Sequence, residues 1–319
     1  MEKKYKLTEE TINVCGRTLH RIEALKDFGD VKKGDKGGFI ENDNNLSQSG
    51  DCWVYDNVMV YGNANVYGDA KVYYNAEVCG NAKIYDNAEV FGKAMVYDNA
   101  KIHNHASVCG DARVYGSAEV YDYAEVYGDA KIYGNARVCE NAVVCGNASI
   151  YDKAMVYGYA KVHDYAEVYE TARVYGNAKV RGNAMVYGDA VVCGNAEVYD
   201  NAIVYGYAVV CGHAKVCGNT KVCGKTEVFG HATICGDTVI TANSDYIVFK
   251  NWWSSGRYFT WTRSNNMWKV GCFHGTGKEL IEKAYMDSEL SGREYERVVK
   301  YVESILKNNN VEVLCNTGV

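Results

Sequence analysis

From Val54 to Ile240 every sixth residue is Val or Ile, 32 positions in succession without a slip. A short period held this strictly means that one small unit is stacked on itself many times. A second series, four residues behind the first, runs from Val58 to Thr238 and is Ala throughout except at Val58, Thr220, Thr226 and Thr238. Residues two apart on a strand point the same way, so each Ala and the aliphatic residue that follows it share an inward face. The residue between them, and the one after the aliphatic, face outward. Gly-Asn, Gly-Asp or Asp-Asn then stands where the chain turns, and these residues tolerate the backbone angles of a corner. A unit such as Val174-Tyr-Gly-Asn-Ala-Lys179 therefore reads as one short strand and one corner.

Composition agrees with a repeat: 28 Tyr, 32 Gly and no Pro. The formal charge of -6 argues against a chain that is basic overall and traps nucleic acid along its whole length. No apolar segment behind a basic one marks a signal peptide, and no apolar run is long enough for a bilayer, so a cytoplasmic location without membrane contact is expected. The 13 Cys fall mostly at one fixed place in the repeat and read as reduced thiols, small substitutes for Tyr, rather than a disulfide framework.

An aliphatic residue followed four positions later by a small one is the pattern of the hexapeptide-repeat family, which this chain resembles over roughly three fifths of its length. The resemblance implies a mainly β fold, a left-handed parallel β-helix with three units to each triangular coil. A right-handed winding is the alternative, disfavoured because its coils vary more in length. Thirty-two units make about eleven coils, a rod roughly 50 Å long at a strand spacing of about 4.8 Å. A core of Val, Ile and Ala is narrow and dry, so function is expected on the outer faces, at the corners or at the ends. The expected division is an N-terminal β cap over residues 1–53, the repeat over 54–243 and a small α+β module over 244–319.

Residues 18 apart stack in neighbouring coils, which places Tyr97, Tyr115, Tyr133, Tyr151, Tyr169, Tyr187 and Tyr205 in one ladder. Neighbouring aromatics on a sheet stabilise one another by about 0.2–1 kcal/mol per pair. A flat aromatic face is also a candidate interface with another subunit. The pairs Cys193 with Cys211, Cys217 with Cys235, and His213 with His231 stack by the same rule. They do not assemble a tetrahedral ligand set, and with His103, His105 and His163 elsewhere no metal and no cofactor is expected.

A solenoid end needs a cover, because it exposes unpaired strand edges. Thr11–Cys15 and Leu19–Leu25 read as strands joined at Gly16-Arg17. The segments DFGDVKKGDKGGFIE (Asp27–Glu41) and NLSQSGDCWVYDN (Asn45–Asn57) resemble the start of the YdcK-like proteins, bacterial β-helices credited with acyltransferase activity on the strength of their fold. The Tyr-Gly-Asn-Ala wording of the repeat is also similar to proteins of phages and gut bacteria. At the other end, Tyr246 to Lys278 holds Lys250, Arg257, Arg263, Lys269 and Lys278 and no acidic residue. Strands are expected at Tyr246–Lys250, Arg257–Thr262 and Met267–Phe273. Helices are expected to begin at the capping pairs Thr276/Glu279 and Ser291/Glu294, the second with a stripe of Val298, Val302, Ile305 and Leu306, in the order β-β-β-α-α. Gly275-Thr-Gly-Lys278 departs from a phosphate loop, with Cys272 where Gly is required and Glu279 in place of Ser or Thr. It remains a glycine-rich helix start. With Arg257, Arg263, Lys269 and Gly275, Thr276, Gly277 and Lys278 the module is a candidate site for a nucleotide, a nucleic acid strand or a host protein. Most of the tryptophans read as its core.

These features favour a non-enzymatic scaffold that displays the C-terminal module and self-associates, a trimer being implied by the family resemblance. One alternative is a hexapeptide acyltransferase at a trimer interface. It is disfavoured because no loop leaves the repeat and no nucleophile, base or carboxylate pair stands out, so no catalytic residue is assigned. The other is a phage-encoded protein that sequesters a nucleotide signal or a defence protein of the host.

Overall fold

The computed structural model describes residues 3–315, with side chains described as far as Lys307. The repeat forms 32 two-residue strands, from Trp53–Val54 to Val239–Ile240. They build a parallel β-solenoid of about eleven turns. Each strand pairs in register with the strand 18 residues on, as Val96 with Val114 and Val114 with Ile132. Three sheets of 14, 11 and 10 strands result, the longest including three strands of the N-terminal region. The corner residues continue the ladder, because their N–H groups also reach the next coil (Tyr97 N to Val114 O 3.0 Å, Asn99 N to Gly116 O 2.7 Å). That satisfies backbone groups that a corner would otherwise leave unpaired.

The aliphatic and Ala series meet inside the coils, and from Val54 to Ile240 their members are almost all fully buried. Where Thr220 and Thr226 replace Ala they are buried as well, and each hydroxyl donates to the carbonyl three residues back (Cys217 O 2.7 Å, Cys223 O 2.8 Å). A hydroxyl enters this core without an orphaned polar group.

At the N-terminal end β1 (Tyr5–Val14) and β2 (Arg17–Ala24) form an antiparallel hairpin. β3 (Lys36–Ile40) pairs antiparallel with β2 and parallel with Met59–Val60. The cap is thus an extension of one solenoid face, and its strands run longer than the sequence reading placed them.

After the last coil comes a four-stranded antiparallel sheet, Tyr246–Lys250, Tyr258–Thr262, Met267–Val270 and Phe273–Gly275, followed by α1 (Gly277–Asp287) and α2 (Glu289–Cys315). The expected β-β-β-α-α order is therefore corrected to four strands. A turn at Gly271-Cys272, with Gly271 at φ +56°, breaks the single strand expected over Met267–Phe273. The second helix starts at Glu289 rather than near Ser291, because the Ser288 hydroxyl accepts from Ser291 N at 3.1 Å. Its buried stripe is Val299 and Val302, with Val298 and Leu306 flanking.

Phe259, Trp261 and Trp268 turn one sheet face to the helices and pack with Leu280, Ala284 and Tyr295. Thr260 turns the other way, and its hydroxyl accepts from Thr233 N of the last coil at 2.9 Å. The module is thus seated on the solenoid end. Among the described residues no helix is long and apolar enough to cross a membrane.

Candidate functional site

The tyrosine ladder forms as the 18-residue step requires. From Tyr97 to Tyr205 successive ring centroids lie 4.8, 4.9, 4.9, 4.8, 4.8 and 5.2 Å apart, with planes within 11° of parallel. Every ring in it is half-buried, so one edge of the ladder is presented to solvent. Burial raises the phenol of Tyr169, pushed up to about 12 with help from Tyr187 and Glu167. Tyr151 is raised by burial and by its bond to the Glu167 carboxylate at 3.0 Å. Tyr151 and Tyr169 therefore stay neutral at ordinary pH, and the ladder is a half-buried aromatic face from which the Tyr151 hydroxyl donates.

The most exposed tyrosine rings of the solenoid lie elsewhere. Tyr123, Tyr159, Tyr165 and Tyr207 are 61–63% exposed and occupy the corner place that Asn or Asp usually fills. The sequence reading did not single them out. The available signal was a Tyr at the fourth position of the unit, where a turn-forming polar residue is the rule.

The seven residues of the candidate anion site are not gathered into one place. Arg257 borders a depression of about 270 Å³ together with Lys283, Phe273, Asp287 and Tyr295. Lys269 lies between Thr260 and His274 in the sheet register and follows Trp268, so it is on the face turned away from the helices. Arg263 stands at the junction with the solenoid, where its N–H donates to Asp245 O at 2.8 Å. Gly275 ends the fourth strand, Thr276 caps α1, and Gly277 and Lys278 open its first turn, so that helix start is occupied by its own side chains. Thr276 N donates to the Glu279 carboxylate at 2.8 Å, and Glu279 N donates to the Thr276 hydroxyl at 3.3 Å. A Cβ on Gly277 would stand 2.7 Å from Val299, so this glycine serves the close approach of the two helices. Lys278 pairs loosely with Glu282 at 3.8 Å. Lys283 was missed because it lies in α1, outside the basic segment that drew attention.

The tryptophans divide. Trp261 and Trp268 are buried, Trp253 packs edge-on to Tyr295 with centroids 5.0 Å apart, and Trp252 is 73% exposed. His213 stacks on His231 at 5.0 Å, and His231 stacks on Tyr258 of the module at 4.2 Å, so the corner histidines are part of the seam between solenoid and module. His103 is stacked between Tyr85 and Tyr121. Among the described residues no group of three or more His, Cys, Asp or Glu stands in a metal-holding arrangement.

Cys217 and Cys235 stand one above the other across one coil step, their Cα atoms 4.6 Å apart. Cys193 and Cys211 stack by the same rule, and both are free thiols.

Two stretches of the solenoid, residues 130–146 and 196–212, match the model of the YdcK β-solenoid repeat. The chain is also similar to a protein of Escherichia coli (strain K12) named "Uncharacterized acetyltransferase YdcK", 44% identical over 45 residues. That match spans 14% of this chain and 14% of the relative. With the solenoid geometry, these likenesses make the chain a hexapeptide-repeat β-helix with a YdcK-like resemblance.

Proposed function

We propose that this hexapeptide-repeat β-helix is a non-enzymatic scaffold, which associates with copies of itself along its tyrosine face and presents the C-terminal module for recognition. The observation that carries this reading is the unbroken stack of two-residue strands from Trp53 to Ile240. It has no inserted loop, and its interior is filled by Val and Ala. An enzyme needs a concave, water-excluding place in which to hold a substrate. The depressions along the solenoid are shallow and polar, such as that bordered by Asp111, Arg113, Asp129 and Lys131. In the module, the depression with Arg257 and Lys283 over Phe273 and Tyr295 offers cations above an apolar floor. It is the place we favour for an anionic group of a nucleotide, a nucleic acid or a protein partner, including a host protein if the chain is of phage origin.

Light scattering during gel filtration tests the association. A trimer or other closed oligomer that dissociates in Tyr133→Ser/Tyr151→Ser supports the reading, whereas a strictly monomeric parent removes it. Titration with nucleotides and short oligonucleotides, with Arg257→Ala and Lys283→Ala compared, tests the module. A second reading, an acyltransferase, is supported by the likeness to the Escherichia coli protein named as an acetyltransferase. Thermal stabilisation by acetyl-coenzyme A, together with acyl transfer to any acceptor, would place it above the scaffold.

A further inference from the structure

Lys4 stands just ahead of β1 and is 1% exposed. Its Nζ donates to Cys52 O at 2.9 Å and to Gly50 O at 3.2 Å, and lies 4.9 Å from the centre of the Phe28 ring. None of its hydrogen bonds goes to a carboxylate. Its remaining neighbour is the Cys52 sulfur at 3.2 Å. Cys52 is itself fully buried and immediately precedes the first solenoid strand. A backbone clamp keeps the pair in place, since Lys4 N donates to the Gln48 side chain at 2.8 Å and Lys4 O accepts from Leu25 N at 2.9 Å. A depression of about 700 Å³, bordered by Lys3, Lys4, Phe28, Gln48, Ser49 and Gly50, lies on the solvent side of Lys4, with Cys52 behind it.

A buried amine and a buried thiol held in contact beside a depression make a site for covalent oxidation by a molecule small enough to diffuse into the cap. We propose that Lys4 and Cys52 are joined by dioxygen into an N–O–S bridge. The overall step is Lys-NH₃⁺ + Cys-SH + O₂ → Lys-NH–O–S-Cys + H₂O + H⁺. Two N–H bonds, the S–H bond and the O–O bond break, and one N–O bond, one O–S bond and the two O–H bonds of water form. Nitrogen and sulfur together lose four electrons, which dioxygen takes up. One of its oxygen atoms becomes the bridge and the other leaves as water, and the remaining proton passes to solvent through the depression. The two residues lie at the ends of the cap, so the bridge ties the N-terminal strand to the first coil and makes the cap a redox-dependent closure. Thiol oxidation normally requires an exposed, thiolate-rich cysteine. Burial raises the Cys52 thiol, so the fixed amine and not general reactivity selects this position.

The whole protein, purified once in air and once without oxygen, is denatured without reductant, its free thiols are alkylated, and it is digested with trypsin for mass spectrometry. The aerobic sample is expected to contain the fragment Gly37–Lys71 joined to a Lys4 peptide, about 14 Da heavier than the two together, for one oxygen gained and two hydrogens lost. Dithiothreitol is expected to return the two separate peptides, and the anaerobic sample to lack the linked species. Lys4→Arg and Cys52→Ser each remove the link. If either variant fails to fold, the aerobic and anaerobic comparison of the parent still decides. Recovery of Cys52 from the aerobic sample as an alkylated thiol, or as a sulfenic or sulfinic acid with Lys4 unmodified, overturns the proposal.

Discussion

At the scale of single residues, the corner is where the repeat is least forgiving. Gly128 has φ +73°, and a Cβ there would stand 3.0 Å from the N and O of Gly146 in the coil above. Asp fills the equivalent place in other coils at similar angles, such as Asp98 at φ 57° and Asp200 at φ 60°. Each of these carboxylates accepts the N–H of the corner above, at 3.1 Å from Gly116 N and from Gly218 N. Such a side-chain bond offsets the cost of left-handed backbone, which a β-branched residue cannot do. Gly128→Val is therefore expected to destabilise by about 1–3 kcal/mol. Gly128→Asp is expected to stay within about 0.5 kcal/mol of the parent. Denaturant melts of the two variants check this, and equal losses would show that crowding rather than backbone angle limits the corner.

At the scale of elements, the exit from the solenoid rests on one carboxylate. Asp245 accepts from Thr241 N at 2.8 Å, from the Thr241 hydroxyl at 2.9 Å and from Ala242 N at 2.9 Å. Partial burial alone would raise this acid, but these bonds and the nearby Arg263 outweigh it and hold the group below the usual aspartate range. A depressed acid contributes stability above its unfolded value of about 3.9. That contribution is lost as pH falls through the folded value. Acidification below about pH 4 is thus expected to loosen the solenoid–module seam before the solenoid itself. Hydrogen exchange at Thr241–Asp245 follows it, and Asp245→Asn should show the same loosening already at neutral pH. The elements of the module were partly readable beforehand. Tyr246–Lys250 and the Thr276 cap stand where alternation and the capping pair put them. The fourth strand was missed and the start of α2 misplaced, because a two-residue turn at Gly271-Cys272 and a cap at Ser288 are local choices that several residues nearby could equally have made.

For the whole molecule, a solenoid is stabilised by each coil and its two neighbours, so its energy is close to a sum over coils. Removal of the 18 residues from Lys131 to Ala148 takes out one full coil and joins Ala130 to Ser149 in phase. That deletion is expected to keep the circular dichroism spectrum and to lower the melting temperature only modestly. Deletion of Lys131 alone puts all later inward residues out of step and is expected to abolish cooperative melting. A folded single-residue deletion would mean that the coils tolerate slippage.

The strict period of six determined by itself the strand places and the inward Val and Ala, because each follows from backbone geometry repeated without interruption, whereas the vertical stacking of Tyr97 to Tyr205 also needed the three units per coil that the family resemblance implied. Tertiary structure alone decided what the anion-site residues do. Arg257, Arg263 and Lys269 are close in sequence, yet strand alternation and the seating of the sheet on the last coil send them to different surfaces, and Glu279 fills the helix start that Lys278 had advertised. It alone also brought Lys4 against Cys52, 48 residues away. No local pattern encodes a contact that exists only after β1 has folded back over the first coil.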